Sequence, residues 1–268
     1  MTTELPVAAL EEELAFANGL ADIADSISME RFRALDLVVT TKPDLTPVTE
    51  VDHAIELAIR DLVAQSRVEH TVVGEEFGGD LSDRREWRWV IDPIDGTRSF
   101  VRGNETWGTL IALQRDGETM VAVASTPAFG HRYSAVRGAG ATVDGRPLHV
   151  SRVNAVDEAM IAHSSVSGFA RVGMADDLVD LASRCGDARG LGNTLSHLSV
   201  ARGTADIGWT ARANLWDYAA LSLIVEESGG RFLDRSGDGV LGGTGLSTNG
   251  LLHARVLQLT GADVNRHP

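Results

Sequence analysis

Between residues 8 and 33 the apolar side chains Leu10, Leu14, Ala17, Ala21, Ala24 and Ile27 recur at spacings of three and four. That is the repeat of one helix face, and it predicts an amphipathic helix over this stretch. The pattern breaks in KPDLTPVTEVD, residues 42–52, which reads as a proline-interrupted loop. The loop ends on Thr49-x-x-Asp52, spaced as a helix N-cap and its third residue, so a second helix is predicted over 50–65. Strand-like runs follow at 70–76, 87–92, 106–114, 119–126 and 131–137. The connections RDGE and TPAFG suit hairpins, which makes much of this sheet antiparallel.

After VDGRPLHVSRV the texture changes to alternating helices and strands. Helices are predicted over 173–185, 193–203 and 216–228, the last closed by Gly229-Gly230. Strands are predicted at 158–165, 205–209, 230–234 and 245–250. With no repeat or low-complexity tract between them, the reading is two packed α/β halves, 1–150 and 151–268.

Composition narrows the class of function. The chain has 268 residues and a formal charge of −14, from 24 Lys and Arg against 38 Asp and Glu. Such a balance argues against gripping a nucleic-acid backbone, which needs clustered cations. It also opposes an anionic substrate unless the site holds a local cation, for which a metal ion is the simplest source. No apolar run is long enough to span a membrane, and the glutamates at 11–13 do not suit a secretion leader. Cys185 is the single cysteine, so no intrachain disulfide forms, and a cytoplasmic protein is expected.

Three segments place acids where strands end or helices begin: Gly74-Glu75-Glu76, Asp92-Pro93-Ile94-Asp95-Gly96-Thr97 and Trp216-Asp217. Taken alone, the glutamate pair reads as a solvated strand end and Asp217 as a helix cap. The middle segment is different. Two carboxylates flank a tight turn at the end of the apolar run Trp89-Val90-Ile91, and each raises the cost of ionising the other. A hard divalent cation removes that cost and takes oxygen ligands, including a backbone carbonyl such as that of Ile94. Gly96 allows close approach of the backbone to a ligand. A helix beginning at Thr97 would place free N–H groups beside the metal, where an anion binds. Metal plus phosphate is the chemistry this turn suits.

GEE, DPIDGT and LWDYAALSLIVEESGG, in that order, resemble the inositol monophosphatase family of magnesium-dependent, lithium-sensitive phosphatases, and the similarity runs over nearly the whole chain. The resemblance implies an α/β (α+β) fold layered as an αβαβα sandwich, assembled as a homodimer. It implies that Glu75, Asp92, Asp95, Asp217 and the Ile94 carbonyl bind two or three Mg²⁺ ions. Gly96 and Thr97 would hold the phosphate, Thr97 would orient the attacking water, and Glu76 would support the site. The substrate would be a small phosphorylated metabolite, without nucleic acid or membrane as partner.

Within the family, TKPDLTPVT, GEEFGG, FVRG and STNGLLH are similar to the actinobacterial branch that hydrolyses L-histidinol phosphate. By that likeness Asp44 is the partner of the water-activating machinery. The segment expected to read the substrate departs from the pattern. Asn193, followed by Thr194, stands where that branch has an aspartate, and Thr210, between Trp209 and Arg212, stands where a glutamate is usual. Fewer negative charges and an added cation weaken the case for a substrate ammonium. An inositol, sugar, cyclitol or nucleoside 5′-monophosphate is therefore the alternative, with Trp209 or His197 as the ring available for stacking. A calcium-type binding module is the non-enzymatic alternative, but it gives no reason for the phosphate-cradling turn, and no 12-residue ligand loop is visible.

Overall fold

The computed structural model describes residues 7–43, 45–80, 87–234 and 243–261. The chain opens with α1 (Val7–Arg31), a short antiparallel hairpin of β1 (Val39–Thr41) and β2 (Pro47–Thr49), and α2 (Glu50–Ser66). A sheet follows, made of β3 (Thr71–Gly74), β4 (Trp87–Asp95), β5 (Gly108–Arg115), β6 (Glu118–Thr126), β7 (His131–Val136), β8 (Gly140–Val143) and β9 (Arg146–Pro147), in that spatial order. The one-turn helix α3 (Thr97–Val101) links β4 to β5. Every pairing in this sheet is antiparallel except β3 with β4, in line with the hairpin signals.

The second sheet contains β10 (Met160–His163), β11 (Asp187–Gly190), β12 (Ile207–Ala213), β13 (Arg231–Asp234) and β14 (Gly243–Thr248), in the order β11-β10-β12-β14-β13. Around it lie α4 (Val166–Arg171), α5 (Ala175–Arg184), α6 (Asn193–Ala201), α7 (Leu215–Glu227) and α8 (His253–Thr260).

Alternation along the strands sorts these elements into layers. Trp89, Ile91, Ile111 and Val123 face α1 and α2, while Val90, Leu110 and Ala124 point the other way into a core shared with α6 and α7. That core continues onto Ala162 and Phe232 of the second sheet. The far face of the second sheet, with Ile161, Ile207 and Trp209, packs on Phe169, Leu178 and Val256 of α4, α5 and α8. The result is the expected αβαβα sandwich. Its middle layer explains why α7 reads as apolar nearly all round: a helix between two sheets has no solvent face, and Leu221, Leu223, Ile224 and Val225 are all buried.

Two differences from the sequence reading bear on the site. The strand expected over 70–76 stops at Gly74, because the Gly74 N–H turns back to the Gly78 carbonyl at 3.0 Å, leaving Glu75 and Glu76 in a turn. The loop expected over 42–52 is in part the β1–β2 hairpin, where Pro47 is tolerated because a two-stranded ribbon is all edge.

Candidate active site and metal centre

The pairing of β4 with β5 explains how two acids on one strand meet. Asp92 pairs with Leu110 and Asp95 with Gly108, so three steps along β4 match two along β5. Residues three apart on a regular strand point to opposite faces, and the extra residue of a bulge brings both carboxylates to the same side. Pro93, which has no N–H to give, lies at this break, and its carbonyl accepts the Thr109 hydroxyl at 2.8 Å.

Two further acids converge from remote elements. Glu75 is carried on the turn after β3, with its N–H on the Ile91 carbonyl at 3.2 Å. Asp217 is the third residue of α7 and accepts the Asn214 N–H at 2.5 Å, so it is a helix cap and a site residue at once. Glu75, Asp92 and Asp217 each offer an oxygen within 4.8 Å of the other two. Asp95 is held slightly apart. Its carboxylate takes the Thr194 N–H at 2.8 Å, the Thr194 hydroxyl, and the Asn193 amide at 3.1 Å.

Electrostatically this cluster is strained. Asp92 is 1% exposed, and among the described residues neither of its oxygens meets a hydrogen-bond donor other than a neighbouring acid. Burial, followed by the charges of Glu75, Asp95, Asp217 and Asp52, drives its pKa well above the usual carboxylate range. Asp217 is pushed up to about 8 by burial and then by Asp95 and Glu75. Burial also raises Asp95, against the lowering effect of Thr194 and Asn193. For Glu75 burial outweighs the hydrogen bond from Lys42.

Among the described residues, Lys42, from the loop after β1, is a cation drawn to this charge, with its ammonium 2.7 Å from Glu75 and 2.6 Å from Glu76. Burial depresses the Lys42 pKa, but the hydrogen bonds it donates to the two glutamates reverse that and leave it raised. One ammonium cannot balance Glu75, Glu76, Asp92, Asp95 and Asp217. The all-oxygen donor set, the orphaned oxygens of Asp92 and the excess of acid over base all fit a hard divalent ion such as Mg²⁺.

The DPIDGT turn completes the site. Gly96 has φ 89°, a left-handed conformation, and a Cβ there would lie 2.9 Å from the Thr106 carbonyl, so no larger residue fits without moving the chain. The Thr97 hydroxyl lies 3.1 Å from the Ile94 carbonyl and 3.4 Å from Asp52 Oδ1. Asp52, 1% exposed at the start of α2, also accepts the Thr49 N–H at 2.8 Å and the Thr49 hydroxyl at 2.5 Å. Its pKa is raised by burial, against those bonds.

Among the described residues Asp52 is the carboxylate at Thr97, whereas the residue expected as partner of the water-activating machinery was Asp44. Asp44 itself lies outside the described residues. The signal for Asp52 was present, since Thr49-x-x-Asp52 reads correctly as a capping box, but the cap reading concealed the second contact. Lys42 was missed because a lone lysine in a loop carries no spacing signal.

The substrate-reading residues need more correction. Asn193 and Thr194 do bracket the site, but as donors that clamp Asp95. Trp209 is 1% exposed and packs edge-on against Phe169, so its ring has no free face for a substrate. His197 is 2% exposed, with Nδ1 2.8 Å from the Ser247 hydroxyl and its ring against Phe232. Burial lowers its pKa to about 3, so it is a neutral core residue. Thr210, likewise 2% exposed, donates to the Gly245 carbonyl at 3.3 Å. Of the group, Arg212 alone is exposed. Glu76 is nearly covered and is held by Lys42 at the edge of the cluster. Burial raises the Cys185 thiol to about 11, in keeping with a filler role.

A family model described as the inositol monophosphatase family matches residues 9–266. A histidinol-phosphatase of Mycobacterium tuberculosis is 44% identical over 252 residues, covering 92% of this chain and 96% of that protein. One from Streptomyces coelicolor is 41% identical over 256 residues, with the same 92% and 96% coverage. Among solved structures, the Thermotoga maritima IMPase superposes with a TM-score of 0.83 at 28% identity, over 93% of this chain and 97% of that one.

Proposed function

The chain belongs to the inositol monophosphatase family, and we propose that it is a Mg²⁺-dependent phosphatase that hydrolyses a small phosphate monoester, with L-histidinol phosphate as the substrate. The observation that carries the chemistry is the cluster of Glu75, Asp92 and Asp217, in which the buried Asp92 meets no donor but its neighbouring acids among the described residues. The two histidinol-phosphatases at 44% and 41% identity support the substrate.

Glu75, Asp92, Asp95, Asp217 and the Ile94 carbonyl would hold the metal, and the count of carboxylates favours two or three ions. Bound magnesium supplies the positive charge that phosphoryl oxygens need and makes a water acidic enough to attack. The chain's own groups do the rest. The Thr97 hydroxyl, between Asp52 and the Ile94 carbonyl, orients the attacking water, and the buried Asp52 carboxylate receives the proton passed along that contact. Gly96 and Thr97 N–H groups hold a phosphate oxygen, the left-handed turn at Gly96 letting the backbone come close. Asn193 and Thr194 keep the Asp95 carboxylate in one orientation.

A second reading of the substrate has its own observation. At the positions where a carboxylate would meet the histidinol ammonium, Asn193 faces Asp95, Thr210 is buried, and the exposed residue is Arg212. Each lost charge-assisted bond removes about 1.5–3 kcal/mol, so two losses amount to roughly 100-fold or more in affinity. That favours a neutral or anionic leaving group, as in inositol 1-phosphate or a nucleoside 5′-monophosphate.

Phosphate release from histidinol phosphate, inositol 1-phosphate and a mononucleotide, with Mg²⁺, decides between the two. Asp92→Asn is expected to abolish turnover on whichever ester is preferred while leaving the circular dichroism spectrum intact. Wild-type rates from that variant would refute the site. The homodimer that accompanies this family reading is tested by measuring mass in solution.

A further inference from the structure

We propose that Glu56 and Arg60 form a positioning pair that sets the metal affinity of the site by holding the turn that carries Glu75. This rests on the reading of Glu75 as a metal ligand. Glu56 is 0% exposed, lies on α2 and is not one of the three acids, Glu75, Asp92 and Asp217, whose oxygens lie together. Both of its oxygens are used. Oε2 accepts the Glu76 N–H at 2.8 Å, and Oε1 accepts the Phe77 N–H at 3.2 Å and Arg60 Nε at 2.9 Å. Arg60 then grips the carbonyls of the same segment, donating to Val72 at 3.3 Å and to Gly78 at 2.5 Å. Glu56 thus takes the N–H groups just after Glu75, while Arg60 takes carbonyls on both limbs of the turn.

Gly74 shows how closely this clasp approaches the chain. A Cβ there would lie 2.1 Å from Glu56 Oε1, so glycine is required for the carboxylate to reach its place. The pair is self-neutralising, with Arg60 Nη2 2.8 Å from Glu56 Oε1, and so adds no net charge next to an already acidic cluster. Asp52, Glu56 and Arg60 also follow one another at intervals of four along α2, on one helix face. A single rigid helix therefore locates the carboxylate at Thr97 and the turn that supplies Glu75. Groups that hold ligands in this way commonly change metal affinity or activity by about 10- to 100-fold when lost.

The test is Mn²⁺ binding to the full-length metal-free protein, read as free Mn²⁺ by electron paramagnetic resonance, beside the Mg²⁺ dependence of turnover on p-nitrophenyl phosphate. Glu56→Gln keeps the volume but turns an NH₂ against one of the backbone donors, and Mn²⁺ affinity is expected to fall about 10- to 100-fold. Gly74→Ala pushes the Glu56 carboxylate aside without removing it and should give a similar shift, with no further loss in the double variant. Arg60→Lys, at a partly exposed position, should weaken binding in the same direction but less. For all three, kcat should recover at saturating Mg²⁺, a separation that a merely destabilised fold would not produce.

Parent-like Mn²⁺ affinity in the folded variants overturns the proposal, as does a kcat that stays low at saturating metal with an unchanged metal midpoint. Should Glu56→Gln fail to fold, Gly74→Ala and Arg60→Lys decide by the same criteria. Failure of the parent to bind Mn²⁺, or parent-like binding by Asp92→Asn, would instead refute the underlying metal site.

Discussion

Removing a charge from the acidic cluster should make the metal-free protein more stable while destroying its function, and Asp217→Asn tests this directly. The asparagine keeps an oxygen for the Asn214 N–H, so the helix cap survives. What disappears is a carboxylate whose pKa rises from 3.8 to about 8 on folding. An acid with a raised folded pKa binds more protons folded than unfolded between those two values, so the metal-free fold loses stability as pH rises through that window. At pH 7 the difference from 3.8 is 3.2 units, and at ~1.36 kcal/mol per unit the penalty is on the order of 4 kcal/mol. Neighbouring acids share protons, which makes this a ceiling, and about half of it is a realistic gain for the variant. At about 2–4 °C per kcal/mol for a chain of this size, Tm in EDTA should rise by about 4–8 °C.

The assay is thermal melting of parent and variant in EDTA at pH 5 and pH 8. The variant's advantage should be large at pH 8 and mostly gone at pH 5, where the folded parent already holds its proton. Added Mg²⁺ should stabilise the parent more than the variant. A metal-free variant that melts at or below the parent at pH 8, or with the same offset at both pH values, would refute the reasoning.

Three other outcomes are expected. Because the metal displaces protons from Asp92, Glu75 and Asp217, whose pKa values are raised, Mg²⁺ affinity should tighten as pH rises toward about 8. Calorimetry in two buffers of different ionisation heat should therefore show proton release at neutral pH, and its absence would contradict the cluster's titration. Asp52→Asn should lower kcat by about 10²–10⁴ while Mn²⁺ binding stays near that of the parent; an unchanged kcat would remove Asp52 from the reaction. EDTA should abolish phosphate release and Mg²⁺ should restore it, whereas turnover indifferent to chelation would exclude a metal-dependent route.

Much of the site was legible in the chain because its core is local. DPIDGT is a strand end, a bulge and a helix start within six residues, and the need for a proline, two acids, a glycine and a threonine there follows from short-range chemistry. The alternation that sorts Trp89 from Val90, and the all-round apolar face of α7, likewise carried the layering into the sequence.

Contacts between distant residues decided the remainder. That Asn193 and Thr194 clamp Asp95, across nearly a hundred residues, depends on where α6 begins in space, and no spacing rule encodes it. Trp209, His197 and Thr210 carry groups suited to a substrate, yet the packing of α4 and α6 on the second sheet closes over them. Asp52 kept its local role as a capping residue and gained Thr97 only when α2 packed beside β4. Sequence patterns record what a residue does with its neighbours along the chain, through dihedral preference, periodicity and near-range hydrogen bonds. Which side chains stay in water, and which distant carboxylates must share a buried space, is set by the packing of layers, because burial and charge repulsion act through space.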